Sequence, residues 1–329
     1  MSMTADQIVD RRRLRRKLSF WRFIGFAAVI VLIAGAIFAA ASSRNGGSGF
    51  IKHAQIARVS ISGFIAEDRD QAEMLARLAK DDAVKGVIVS INSTGGSTTG
   101  GEALYESLRK LAAAKPTVAT IGTVGASAAY MAAIATDHIV ARRTSITGSI
   151  GVIFEYPEVS ALLDKLGVKV EDIKSAPLKA EPDPFHPTSD EARAVVQGLV
   201  NDTFGWFVDI VAERRKLDRA LALTYADGRI YTGQQALNVK LIDELGGEDV
   251  AIAWLGTKGV DAKLPVNDWE PSRPGKGPFS LSSAVITWLM QTTGLAPAIT
   301  PALIDRLLPD GLKLDGLLSV WQGSGGGDT

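Results

Sequence analysis

The stretch Gly122–Tyr130, Gly-Thr-Val-Gly-Ala-Ser-Ala-Ala-Tyr, constrains the fold of this chain more than any other. A β-branched run, Thr117–Ile121, leads into it and reads as a buried strand. Small residues follow, and then a helix-like run through Tyr130, Met131 and Ala132. The expected order is strand, tight turn, serine, helix. Such a turn sets Ser127 Oγ at a helix start with little side-chain bulk around it. It also leaves the N–H groups of Ala128 and Ala129 outside the helix ladder. A helix start favours negative charge, so a developing oxyanion is stabilised there. Small residues also suit a helix packed close to a sheet, and this stretch alone does not separate the two roles.

The totals narrow the choice. A chain of 329 residues holds one large domain plus attachments. Lys+Arg and Asp+Glu both number 36, so the charge balance argues for neither nucleic acid nor an acidic partner. There is no cysteine, which excludes disulfides, thiol catalysis and Cys-ligated metals. The three histidines, His53, His138 and His186, are too scattered for a metal cluster. No cofactor is expected.

Residues 1–19 carry a basic block, Arg11, Arg12, Arg13, Arg15, Arg16 and Lys17. Residues 20–41 follow as a membrane-spanning helix, since Phe23–Ala41 runs without a charge. At about 1.5 Å per residue this run covers roughly 28 Å, enough for the hydrocarbon core. Trp21 stands at its basic edge as an interfacial anchor. The basic block stays in the cytoplasm, which puts everything after Ser42 across the membrane. A cleaved signal peptide is the rival, given Ala39-Ala40-Ala41, but the run exceeds the usual signal core of about 7–15 residues. Residues 42–53 form a Gly/Ser linker, 54–258 the main domain, and 259–329 a C-terminal linker and amphipathic extension.

Within 54–258, Ile56–Ile61 alternates as a strand, Gln71–Lys80 has helical spacing, and Val84–Asn92 is a β-branched strand. Gly95-Gly96 reads as a tight turn before an amphipathic helix, Gly101–Ala114. Strand, loop and helix then repeat around Ser127, and His138–Ala141 and Ser145–Phe154 follow. This alternation implies a layered α/β domain with much parallel pairing. The glycine pair lacks the Walker lysine, but its backbone can pair with the Ala128 N–H to hold an oxyanion. Further on, Thr188–Lys216 and Ala236–Leu245 read as helices, Val250–Leu255 closes the domain, and Asn267–Pro278 reads as a linker.

A serine needs a base. His138 lies in a strand entering the core, His186 in a proline loop and His53 in the linker, with no acid placed to orient any of them. A lysine serves at neutral pH only if its pKa falls by about three units, roughly 4 kcal/mol, which desolvation can supply. The apolar, irregular stretch Ile173–Ala180 offers two, Lys174 and Lys179, and composition does not choose between them.

Six segments stand in one order: Ile91–Gly96, Gly125–Tyr130, Thr136–Ala141, Ser145–Ile153, Ile173–Lys179 and Asp227–Gly233. Together, behind an N-terminal anchor, they resemble the short form of the signal peptide peptidase A family. These are membrane-anchored serine–lysine proteases related in fold to ClpP and the crotonases. The likeness covers about Ile56–Leu255. It implies a ClpP/crotonase-like layered fold with repeated β-β-α units. It makes Ser127 the nucleophile, Lys179 the general base, Ser149 the serine that orients the lysine, and Gly96 with Ala128 the oxyanion hole. Lys174 matches a first lysine that is not the base. It also implies a ring-like homo-oligomer in which serine and lysine of one site come from neighbouring protomers. Implied too are apolar peptide substrates such as cleaved signal peptides, and a single-pass inner-membrane protein whose catalytic domain is periplasmic or extracellular. Thr94 departs from the family's usual proline, and Ala128-Ala129 from its usual glycines, which bears on substrate range. Two other classes remain: a crotonase-type acyl-CoA enzyme, which needs neither Ser127 nor Lys179, and a catalytically silent membrane scaffold.

Overall fold

The computed structural model describes residues 53–271, the strand at 317–320 and single helical positions at 21, 24, 25 and 27. Most of the expected membrane helix at 20–41, and the C-terminal stretches 272–316 and 321–329, lie outside the described residues. Among the described residues no helix is long and apolar enough to cross a membrane.

Four parallel strands make the centre: β1 (Gln55–Ile65), β2 (Val84–Ser97), β3 (Thr117–Ala126) and β4 (His138–Ala141). Helices α1 (Arg69–Lys80), α2 (Thr98–Ala114) and α3 (Ala128–Ile134) connect them in turn. Val87, Ile88 and Val89 are all buried in succession, as a strand covered on both faces requires. Alternate side chains go to opposite layers. Val87, Val89 and Ile91 join Leu75, Leu108, Met131 and Phe207 in the main core. Ile56, Ile88, Val118 and Val140 pack on the other face against Ala251 and Leu255 of α8 (Glu248–Thr257).

The long strands change partners along their length. β2 pairs with β3 only as far as Ser93, opposite Gly125. Past Ile121, β3 changes from β4 to β5 (Ile146–Gly148), and past Ser93, β2 changes from β3 to β10 (Leu317–Val320), which also pairs with β6 (Ile153–Phe154). The sheet therefore fans open at its C-terminal end, beside Ser127. The expected β-β-α repeat is realised as one continuous strand per unit, its two halves joined to different neighbours.

Three expectations are corrected. Gly95-Gly96 is no turn: β2 runs through it, paired to Phe64 and Ile65 of β1. Glycine is needed for the close approach, because a Cβ on Gly96 would lie 1.9 Å from Ile65 O. The helix expected over Ala236–Leu245 is α7 (Gly233–Asn238) and ends before Lys240, whose φ of +62° reverses the chain. The linker expected from Asn267 begins later, since Val266–Trp269 forms β9 and pairs in parallel with β1. The edge of β1 offers unpaired backbone groups there, and they outweigh the local composition.

Between β6 and the main core's longest helix, α5 (Asp190–Arg215), the chain leaves the core. It forms a short helix, α4 (Ser160–Leu166), and an irregular loop. None of the residues from Gly151 to Glu191, all described, is fully buried.

Candidate active site

Ser127 sits between β3 and α3 with φ 58° and ψ −121°. That backbone is costly for an L-residue, on the order of 1–3 kcal/mol, and persists only where the surroundings enforce it. Here the enforcement is visible. The Ser127 N–H donates to Gly148 O over 2.9 Å, and its carbonyl accepts from Tyr130 N–H and Met131 N–H at 2.8 and 3.1 Å. Ala126 behind it and Ala128 ahead of it are fully buried. Ser127 itself is only 1 % exposed. A strained serine at a strand-to-helix corner is a recurrent way of displaying a nucleophile.

Ala128 and Ala129, which stand in place of glycines, do not crowd a cleft by default. Both are fully buried, and a Cβ built on Gly101 would lie 3.0 Å from the Ala128 Cβ. The Ala128 methyl is thus turned toward α2, and Gly101 is small to receive it. The Ala128 N–H remains at the first position of α3, where no helical acceptor reaches it.

β5 brings Ser149 beside this corner. Gly148 has φ +84°, and a Cβ there would lie 2.6 Å from Tyr231 Cδ2. Ser149 follows with φ 49°, its N–H donating to Arg229 O over 2.8 Å. The bond from Ser127 N–H to Gly148 O therefore makes Ser149 a near neighbour of Ser127. Gly96 lies on β2 between Ile65 of β1 and Ser319 of β10. Gly95, φ +120°, gives its N–H to Ser93 Oγ at 3.1 Å.

The two lysines are separated by their surroundings. Lys174 Nζ meets Asp172 and Glu181 at 2.7 Å each and Asp183 at 3.2 Å. Hydrogen bonds donated to Asp172 and Glu181 raise its pKa, which works against service as a base. Lys179 lies in the turn that follows, its N–H donating to Ala176 O over 3.0 Å, and its side chain is exposed. Ser127, Ser149, Gly96 and Ala128 are thus gathered at one end of the sheet, whereas Lys179 is carried on the irregular loop outside it.

Two supports of the site escape sequence reasoning. Arg214 Nε donates to Ile134 O at 2.8 Å and its Nη2 to Thr136 O at 3.0 Å. Arg109 Nη1 donates to Ala135 O at 2.7 Å. The carbonyl end of α3 is capped by two guanidinium groups from α2 and α5. Nothing local in the sequence links either arginine to α3.

A layered α/β sheet ending in this serine corner defines a serine peptidase with a ClpP-like fold. Comparison with known proteins agrees. The Clp protease family model matches residues 57–153, and the model of peptidase family S49 matches residues 109–262. A protein of Methanocaldococcus jannaschii, provisionally named a protease, is 41% identical over 179 residues, which cover 54% of this chain and 58% of the relative. A provisionally named protease of Synechocystis is 35% identical over 67% of this chain and 80% of its own length. A provisionally named signal peptide peptidase SppA of Enterococcus faecium is 30% identical over 71% of this chain and 72% of its own. The chain belongs to peptidase family S49, among the signal peptide peptidase A proteins.

Proposed function

We propose that the protein is a membrane-anchored endopeptidase with a Ser127–Lys179 dyad, and that it cleaves apolar peptides such as signal-peptide remnants. The observation that carries this reading is the strained, buried backbone of Ser127 at the end of β3. Ser127 Oγ adds to the scissile carbonyl carbon while its proton passes to the neutral Lys179 amine. The oxyanion is held by the N–H groups of Gly96 and Ala128, a kind of donor worth about 10²–10³ in kcat each. The C–N bond then breaks, and the leaving amine takes the proton from Lys179. Water, losing a proton to the same lysine, hydrolyses the acyl-enzyme and restores Ser127. Ser149 orients the lysine amine.

Because Lys179 is exposed on a loop that has left the core, we read it as acting in the site of a neighbouring copy. The apolar side chains around it, Leu162, Leu166, Val168, Ile173, Leu178 and Phe185, are exposed in the single chain and support a covered interface. A neighbour docking there also takes the lysine out of water, as a lysine base requires. The slot beside Gly96 supports a peptide substrate: β10 lies in it as an extended strand, antiparallel to both β2 and β6. The charge-free run Phe23–Ala41 supplies the anchor, with the catalytic domain on the far side of the inner membrane.

The test is hydrolysis of apolar peptides by the detergent-solubilised full chain. Ser127→Ala and Lys179→Ala are expected to lose activity, and Lys110→Ala, on the exposed face of α2, to keep it. Equal mixtures of the two dead variants should regain part of the activity if the site is shared between copies. A parent protein that is inactive on every such peptide and resists serine-directed acylating probes would favour a silent scaffold.

A further inference from the structure

The segment that carries Lys179 has no hydrophobic core of its own, since no residue from Gly151 to Glu191 is fully buried. An irregular loop without buried apolar contacts is expected to open locally. This one is closed by a polar hub. Lys174 Nζ lies among Asp172, Glu181 and Asp183. Asp183 in turn accepts from Phe185 N–H at 2.7 Å and His186 N–H at 2.9 Å, and its Oδ2 meets His186 Nδ1 at 3.0 Å. His186 Nε2 reaches back to Val170 O at 3.2 Å, so the loop is tied at its start and its end. Ligand atoms of Asp172, Asp183 and His186 converge within 4.8 Å, the arrangement a cation would need, and the Lys174 ammonium supplies that charge.

Within this knot the Lys174–Glu181 pair spans the turn that presents Lys179. The turn is short: Lys179 N–H bonds Ala176 O, and Glu181 N–H bonds Leu178 O at 3.4 Å. We propose that Lys174 is a positioning residue for the reaction, an internal cation that fixes the Ala176–Glu181 turn so that Lys179 is presented in one orientation to the neighbouring copy's serine. This rests on Lys179 being the base. A compact ammonium suits three carboxylates that approach from different directions, whereas a planar guanidinium matches only two at a time. Lys174 itself touches no reacting atom.

The experiment uses the full chain in detergent, with Lys174→Met, Lys174→Arg, Glu181→Ala, the double variant of Lys174→Met with Glu181→Ala, and Lys179→Ala. Assembly is followed by size exclusion and folding by thermal melting. Lys174→Met and Glu181→Ala should each lower kcat by roughly 10- to 100-fold with KM changed by less than about twofold, because a misplaced base costs rate rather than binding. The double variant should lose little more than either single one, since the two side chains act as one unit. Lys174→Arg should recover part of the lost kcat. If Lys179→Ala is dead while Lys174→Met matches the parent, the positioning role is overturned and the Ser–Lys dyad stands. A loss in Lys174→Met that comes with dissociated oligomer or a raised KM overturns it too, leaving a structural role. If Lys179→Ala stays active, the base assignment fails and the positioning proposal falls with it.

Discussion

Ser127 N–H donates to Gly148 O over 2.9 Å, and this bond ties the strained serine corner to β5, with α3 and β4 between them in the chain. The geometry of the site therefore depends on β5 as much as on the turn that carries the serine. Gly148 can hold its end only because it is glycine, with φ +84° and the Tyr231 ring in van der Waals reach.

Gly148→Ala should destabilise the fold by about 1–3 kcal/mol, from the left-handed backbone and the clash with Tyr231. It should lower peptide hydrolysis beyond what the melting shift accounts for, because Ser127 and Ser149 move with the strand. Paired melting and kinetic measurements at a temperature where both proteins stay folded check this.

Arg214→Ala removes two hydrogen bonds at the carbonyl end of α3. Partial burial pushes the Arg214 guanidinium down from its ordinary value, but a guanidinium stays protonated in proteins, so the bonds are charge-assisted. The expected loss is about 1.5–3 kcal/mol. Arg109→Ala should cost less, and the double variant should fall short of the sum, because both arginines cap the same three-residue run. Denaturant titration of the four proteins measures the coupling.

The loop around Lys174 should be most ordered in mildly acidic solution. Partial burial alone would raise the Asp183 carboxyl, but hydrogen bonds from His186, Phe185 N–H and Lys174 hold it well below the usual carboxylate range. A lowered carboxylate contributes stability above its unfolded value of about 3.9, lost as the pH falls through the folded one. The hydrogen bond to Asp183 raises His186, whose contribution is complete below about 6.5 and is lost as the pH rises through its folded value. Amide exchange of residues 170–186, corrected for intrinsic rates, should show greatest protection between these limits. Protection that rises steadily from pH 5 to 9 would contradict it.

Ile173→Glu places a charge at a fully exposed apolar position beside Lys174. Melting of the main domain should change by less than about 0.5 kcal/mol, as for other surface substitutions. Assembly and hydrolysis should both fall if a second copy covers this face. Light scattering in detergent, with the activity of the same sample, reads both effects together.

Much of this molecule was legible before its structure. β-branched runs mark β2 and β3, because a strand covered on both faces must be apolar in succession, and alternation marks β1. The small residues at 125–129 mark the serine corner, where a helix begins hard against a sheet. The helix expected from Thr188 is present as α5, capped by Ser189, whose Oγ accepts from Ala192 N–H at 3.1 Å. These are local consequences of side-chain shape, and the chain carries them wherever it goes.

The passage of β2 through Gly95-Gly96 was not legible, because glycine pairs favour turns unless neighbouring strands supply the hydrogen bonds. Nor was β9, which exists only because the edge of β1 is there to receive it. The sequence by itself determined the alternation of strands and helices in the core, the serine corner and a choice of two lysines. Only the tertiary structure decided which lysine is locked among Asp172, Glu181 and Asp183 and which is exposed. That decision turns on carboxylates met across an irregular loop, where no periodicity in the chain foretells a contact.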